Sequence, residues 1–237
     1  MWDSAVTCNL YLMRAIIFDY GEVLCHRDDS AYQNLLAITG LDSPAFESIY
    51  WRDRHQYDLG LFDGPGFWQR FAAHAGRVFT PAELEALVAA DIRMWIQTDP
   101  VMLAWVDALQ KAGLRTAILS NMVPEVLHAM LHRPDFAWLR GFTHLTWSCE
   151  LHIAKPDPAI YRLTCDHLSV APAECLFLDD KPENIRAAEA LGIQALLFTT
   201  PEQLRHDLAA HNWLQDVPQP GKPGARPDGN DLLTAVL

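Results

Sequence analysis

The sequence predicts an α/β protein, a parallel sheet core carrying an inserted α-helical cap. Three observations predict it. Short apolar, partly β-branched runs recur along the chain, and continuous apolarity marks strands covered on both faces. Segments of helical periodicity alternate with most of them, as the crossovers of a parallel sheet require. One long stretch, residues 30–98, holds several amphipathic segments and no strand-like run.

The elements follow in order. Residues 14–18 (RAIIF) form the first strand and end at Asp19. Four apolar spacings, divided by turn signals near 40–42, 59–66 and 76–81, give the insert roughly four helices. Strands are then expected at 114–119, 144–147, 175–178 and 194–198, and helices at 100–112, 123–131, 158–167, 182–191 and 201–210. Several of these helices open on proline and one closes on Gly192, the residues that helix ends favour. The core domain is therefore 13–28 plus 99–214, and the cap 29–98. Residues 1–12 read as a leader without a fold, and the Pro- and Gly-rich tail 215–237 as disordered.

Composition excludes several classes. Half of the 237 residues are apolar, enough for a sizeable core. A net charge of −12 argues against nucleic acid as partner, since that binding is driven by Lys and Arg displacing counterions. No run approaches the ~20 apolar residues of a membrane span. The five cysteines are odd in number and never spaced C-x-x-C, which suits free thiols in the cytoplasm rather than a disulfide framework.

Chemistry-bearing residues stand where apolar strands end, the place where open parallel sheets bind ligands. Asp19 closes the first strand, and a carboxylate there can act as a nucleophile. Alone, it reads better as a turn-forming residue. Ser120 and Asn121 close the second, where a hydroxyl and backbone N–H groups at a helix start can hold phosphoryl oxygens or serve as an N-cap. Lys155 stands on a proline-stiffened helix entry and can neutralise phosphoryl charge. Asp179 and Asp180 are adjacent acids at a strand end, which repel unless a cation lies between them, and Mg²⁺ prefers such oxygen ligands. His128 and His132, at i and i+4, read as a solvated helix face.

In the order and spacing of these four motifs, residues 13–214 resemble the haloacid dehalogenase superfamily. The resemblance implies a Rossmann-like core, Asp19 as nucleophile, Ser120 and Asn121 on the phosphoryl group, Lys155 balancing charge, and Mg²⁺ held by Asp19, Asp180, Asp179 and the Gly21 carbonyl. Asn184 stands where many members carry another acid, so its role is outer-shell at most. The phosphatases of that superfamily carry a second Asp two residues after the nucleophile, and here the position is Gly21. Glu22 and His26 are candidate substitutes. The opening Asp-x-Gly, the Asp-Asp ending and the small cap resemble the subset containing bacterial glucose-1-phosphate phosphatases and epoxide hydrolase phosphatase domains. In the cap, Arg52, Arg54 and Tyr57 are candidates for selecting substrate, or equally for solvent and cap core.

The expected function is a Mg²⁺-dependent phosphatase of small phosphorylated metabolites, sugar phosphate-like, acting as monomer or homodimer. Two alternatives stand beside it. One is a 2-haloacid dehalogenase, in which the aspartate attacks carbon; the other is a phosphate-binding protein of the same fold without turnover.

Overall fold

The structure is a computed structural model and describes residues 13–211, 213, 214, 217 and 219–221. The expected leader, and most of the expected tail, lie outside the described residues. In chain order, β1 (Ala15–Phe18) is followed by the short β2 (Cys25–His26). Then come the inserted helices α1 (Asp29–Thr39), α2 (Ser43–Tyr50), α3 (Arg54–Asp58), α4 (Gly64–Ala75) and α5 (Pro81–Met94). After β3 (Gln97–Thr98), the core resumes with α6 (Pro100–Lys111), β4 (Arg115–Ser120), α7 (Pro124–Leu131), β5 (His144–Trp147), α8 (Ser148–Leu151) and α9 (Pro158–Leu168). It ends with β6 (Cys175–Asp179), α10 (Pro182–Glu189), β7 (Gln194–Leu197) and α11 (Pro201–Ala210).

The sheet is parallel, with order β5-β4-β1-β6-β7. Its central strands β4, β1 and β6 are buried on both faces, and the residues divide by parity. Ala15, Ile17, Ala117, Leu119, Cys175 and Phe177 enter one core against Ile160 and Tyr161 of α9 and Ile185 and Ala188 of α10. Ile16, Phe18, Ile118, Leu176 and Leu178 face the other way, against Trp105 and Leu109 of α6 and Leu204 and Leu208 of α11. That second core runs on into the inserted helices, where Phe46, Tyr50, Phe67, Trp68 and Phe71 pack as one aromatic cluster.

The insert holds five helices rather than about four. Each long one has its own start signal: the Asp28, Asp42 and Asp63 side chains accept backbone N–H bonds at α1, α2 and α4, and Thr80 with Glu83 forms a capping box at α5. The extra helix, α3, has five residues and no side-chain cap bond. It is held by contacts at longer range. The insert enters and leaves through the antiparallel β2–β3 ribbon, which pairs Cys25 with Thr98. Beyond α11, Trp213, Leu214 and Val217 pack against the second core, and Arg205 donates to the Pro220 carbonyl at 2.9 Å.

Candidate active site

Parallel strands bring their carboxyl ends to one edge, and three of these ends build the site. Asp19 directly follows β1, and its N–H donates to the Leu178 carbonyl at 2.8 Å, so the ladder with β6 continues one residue further. Its carboxylate accepts the Tyr20 N–H at 2.7 Å, and the residue as a whole is 6 % exposed. Ser120 ends β4 and Asp179 ends β6, both buried, with Asp180 next. Lys155 arrives from the loop between α8 and α9. Asn121 holds that loop to the end of β4: its Oδ1 accepts the Lys155 N–H at 2.8 Å and its Nδ2 donates to the Lys155 carbonyl at 2.9 Å. The Asn121 side chain is therefore engaged in placing Lys155.

The Lys155 ammonium, 2 % exposed, sits 2.9 Å from Asp19 Oδ1 and 2.6 Å from Asp179 Oδ2. Burial pulls its pKa down, but Asp179 and Asp19 pull it up further, so it remains a cation. Burial pushes the Asp19 carboxyl up to about 7; Lys155 opposes the rise, while Asp179 and Asp180 add to it. Asp180 is raised by burial and by Asp179. Three carboxylates thus share one buried ammonium, an arrangement that leaves negative charge for a further cation.

One oxygen from each of Asp19, Asp179 and Asp180 lies within 4.8 Å of the others, and this acidic cluster fits a metal site. The three acids are not equivalent. Both oxygens of Asp179 already accept hydrogen bonds, from Lys155 Nζ, the Lys181 N–H and Asn184 Nδ2. Asp19 and Asp180 line the adjoining cavity, together with Gly21. The donor set is all oxygen, the chemistry that suits Mg²⁺.

The cavity has a volume of about 230 Å³ and lies between the strand ends and the insert. From the core it is lined by Asp19, Gly21, Ser120, Asn121, Lys155 and Asp180. From the insert come Arg54, Asp58, Trp51 and Trp95. Arg54 Nε donates to Asp58 Oδ1 at 2.8 Å, and its Nη1 donates to the Tyr50 hydroxyl. A Cβ placed on Gly21 would lie in ordinary contact with the Trp95 ring, at 3.9 Å, so the indole flanks the position two residues after Asp19. Glu22 also lines the cavity, with φ at 55°, a left-handed conformation uncommon outside glycine. In active sites such conformations are over-represented.

The other sequence candidates fall outside this space. Arg52 is exposed and Tyr57 is buried in the insert, and neither lines the cavity. His26 pairs with Asp99 at 2.7 Å, away from it. Asn184 donates to both oxygens of Asp179 and so acts behind the acids. His128 and His132 are exposed, with ring centroids 4.1 Å apart at a tilt of 33°, on α7 and at its C-cap. Sequence reasoning missed Trp51, Asp58, Trp95 and Lys181. Only Asp58 carried a signal, its i+4 spacing from Arg54.

The pattern of haloacid dehalogenase-like hydrolases matches residues 13–192. The chain belongs to the haloacid dehalogenase-like hydrolases. Among curated members of wider kinship, it is 38 % identical over 74 residues to flavin mononucleotide hydrolase 1 of Arabidopsis thaliana, covering 30 % of each chain. It is 31 % identical over 128 residues to (S)-2-haloacid dehalogenase 1 of a Pseudomonas strain, covering 51 % of this chain and 54 % of that one. With mouse acyl-CoA dehydrogenase family member 10 the identity is 34 % over 113 residues, 47 % of this chain and 10 % of the relative. The chain thus spans from a tenth to about half of the length of these relatives.

Solved structures share the fold of this haloacid dehalogenase-like chain. A family enzyme from Bacteroides thetaiotaomicron, solved with magnesium and inorganic phosphate, superposes with TM-score 0.61 at 19 % identity, covering 82 % of this chain and 98 % of that one. A HAD-like hydrolase from Porphyromonas gingivalis gives TM-score 0.67 at 23 % identity, covering 85 % and 98 %. The α/β sheet core expected from the sequence is therefore the fold of the family. Among the described residues, no helix is long and apolar enough to cross a membrane.

Proposed function

We propose that the chain is a Mg²⁺-dependent phosphatase of small phosphate monoesters, sugar phosphate-like, working through an aspartyl-phosphate on Asp19. The observation that carries this reading is the acidic cluster beside a buried ammonium: Asp19, Asp179 and Asp180 within 4.8 Å, with Lys155 at 2.9 Å from Asp19. Attack on carbon needs one ionised aspartate; three gathered carboxylates are explained by a cation and an anionic phosphoryl group.

Asp19, Asp180 and the Gly21 carbonyl would hold Mg²⁺, with Asp179 contributing mainly charge from behind. Bound there, the ion supplies Lewis-acid charge stabilisation at the phosphoryl oxygens. Asp19 must be ionised to attack, and burial holds its pKa up to about 7, so the positive charge of Lys155 sets how much carboxylate is present at neutral pH. Attack by an Asp19 oxygen on phosphorus breaks the bond to the leaving-group oxygen; water then attacks the aspartyl-phosphate and releases inorganic phosphate. The Ser120 hydroxyl and the backbone at Asn121 orient the transferring group. Asn121 also fixes Lys155, and Arg54 faces the remainder of the substrate from the insert.

Gly21 offers no side-chain acid to the leaving group. General acid catalysis is worth ~10²–10⁴-fold, so its loss favours leaving groups that depart readily, such as the anomeric oxygen of a sugar 1-phosphate. Glu22, in the cavity wall, is the nearer substitute than His26. Four cysteines, Cys25, Cys149, Cys165 and Cys175, are buried free thiols, which fits work in the reducing cytoplasm. The flavin mononucleotide hydrolase among the relatives acts, by its name, on a phosphate monoester.

The experiment is phosphate release from p-nitrophenyl phosphate and a panel of sugar phosphates, with Mg²⁺ or with chelator, for wild type and Asp19→Asn. Halide release from 2-haloacids is followed in parallel. Phosphate release that needs both Mg²⁺ and Asp19 is the expected result. Halide release insensitive to chelator would replace the reading with the dehalogenase, and equal rates for the two proteins on every substrate would leave a binding protein.

A further inference from the structure

The phosphatase reading leaves open what the outer half of the cavity holds. We propose that Trp51 and Lys181 form a leaving-group subsite, an aromatic platform for a ring with one flat apolar face; the proposal rests on the phosphatase reading. Trp51 is 42 % exposed yet lines the cavity that contains Asp19. An indole with that much solvent contact ordinarily keeps its rotamer freedom. This one is fixed. Its Nε1 donates to Glu47 Oε2, while Glu47 Oε1 accepts from Arg27 Nη1 at 2.9 Å. Its ring also stands edge-on to Tyr50, with centroids 5.0 Å apart at 86°. An ion-paired carboxylate therefore aims an exposed indole at the mouth of the site, which removes in advance the ordering cost a ligand would otherwise meet.

Lys181 completes the subsite. It directly follows Asp180, lines the same cavity, and places its ammonium 5.5 Å from the centre of the Trp51 ring. The residue is exposed and makes no salt bridge among the described residues. Cation–π contacts at exposed sites are weak, so a ring can displace the ammonium from the indole and keep it alongside as a hydrogen-bond donor. Trp95 supplies the inner apolar wall beside Gly21. With the phosphoryl group at Asp19, the rest of a small monoester in about 230 Å³ must lie among these insert residues. An aryl ring and a pyranose both present a flat apolar face of this kind.

The test compares kcat/KM for phenyl phosphate and glucose 1-phosphate, each divided by that for glycerol 3-phosphate, which has no ring. Trp51→Ala is expected to lower these ratios ~10-fold or more, the loss seen when an aromatic stacking partner is truncated. Trp51→Phe keeps a ring face and is expected to restore most of the ratio. A fall for phenyl phosphate alone assigns the subsite to aryl groups; a fall for glucose 1-phosphate alone assigns it to sugars. An equal loss on all three substrates, or none, overturns the subsite while the phosphatase reading stands. Calorimetric titration of Asp19→Asn with phenyl phosphate and methyl phosphate, with and without Trp51→Ala, reads the subsite without turnover. If Trp51→Ala weakens both ligands equally or neither, the platform is refuted even in a protein that hydrolyses nothing.

Discussion

Glu125 is the residue on which the docking of the insert should depend most. It lies on α7, in the core, and reaches into the insert: Oε2 accepts the Tyr57 hydroxyl at 2.6 Å and Oε1 accepts the Gly64 N–H. The neighbouring contacts follow the same seam. Ser148 donates to the Asp58 carbonyl and itself accepts the Met122 N–H at 2.9 Å, and His152 Nδ1 donates to the Leu59 carbonyl at 2.7 Å. The backbones approach so closely there that a Cβ on Gly60 would lie 2.6 Å from the Cys149 carbonyl oxygen, and Gly60 has φ of 69°. Residues 57–64 are thereby fastened to the core, and with them α3, which carries Arg54 and Asp58 into the cavity.

Glu125→Ala deletes two hydrogen bonds to a carboxylate, each worth about 1.5–3 kcal/mol, and leaves the hydroxyl of a buried tyrosine unpaired. Glu125 itself is half-buried, and water can reach part of the vacated space. The net cost is then about 2–4 kcal/mol, or roughly 4–16 °C in melting temperature for a chain of this size. Glu125→Gln should lose less than this, because an amide oxygen can accept the Gly64 N–H while the amide nitrogen donates to the Tyr57 hydroxyl, and only the carboxylate charge is lost. Thermal melts supply the first readout and hydrogen exchange at the Gly64 amide the second. Phosphate-release kinetics should show a higher KM as Arg54 loses its placement. Unchanged melting together with unchanged exchange at Gly64 would refute the seam.

Two further predictions concern buried charge. Lys155→Met removes the cation between Asp19 and Asp179, whose side chains are 9 % and 0 % exposed. Breaking such a pair costs about 3–5 kcal/mol. The orphaned carboxylates relieve it by taking up protons, so the deficit in melting temperature against wild type should shrink as pH falls, and a pH-independent deficit would count against the argument. Asp91 is buried on α5, with Oδ1 accepting the Tyr50 hydroxyl at 2.7 Å and Oδ2 without a partner. Burial raises its pKa despite Arg54 and the Tyr50 hydrogen bond, while Asp58 and Glu125 add to the rise. A raised folded-state carboxyl favours folding below its ordinary pKa, and that contribution is lost as pH rises through the folded value. The stability of wild type relative to Asp91→Asn should therefore fall from acid toward neutral pH; a constant difference in melting temperature would show that Asp91 does not titrate in this way.

Much of the fold could be read in advance because its signals are local. The runs read as strands at 14–18, 114–119, 144–147, 175–178 and 194–198 agree with β1, β4, β5, β6 and β7 to within a residue at each end. Double-sided burial makes such runs continuous in apolarity. Helix starts were equally legible, since proline stands in the first turn of α6, α9, α10 and α11. The β2–β3 ribbon was not. Two residues per strand carry no period, and what pairs them is the return of the chain after five helices. The four-residue α8 is too short to show a period, and the 3₁₀ segment Pro134–Gly141 does not follow the 3.6-residue period by which helices are read.

The site divides along the same line. Asp19, Ser120 and Asp179 are placed by the strands they end, and in a parallel sheet adjacent strand ends are adjacent in space, so the convergence could be argued from sequence alone. Lys155 is different: no strand carries it, and its position depends on the reciprocal bonds between Asn121 and its own backbone. A motif can name such a residue but not explain it. The insert side was least legible, because what a capping helix presents to the core depends on how it docks. Arg52 and Arg54 are chemically equal in the sequence, two residues apart. On α3, fastened through Glu125 and Ser148, Arg54 is buried beside Asp58 and Tyr50 in the cavity wall, whereas Arg52 precedes the helix and stays in solvent. The choice between them is made by the seam at residues 57–64, so substrate selection in this chain should follow changes at Glu125 as closely as changes at Arg54 itself.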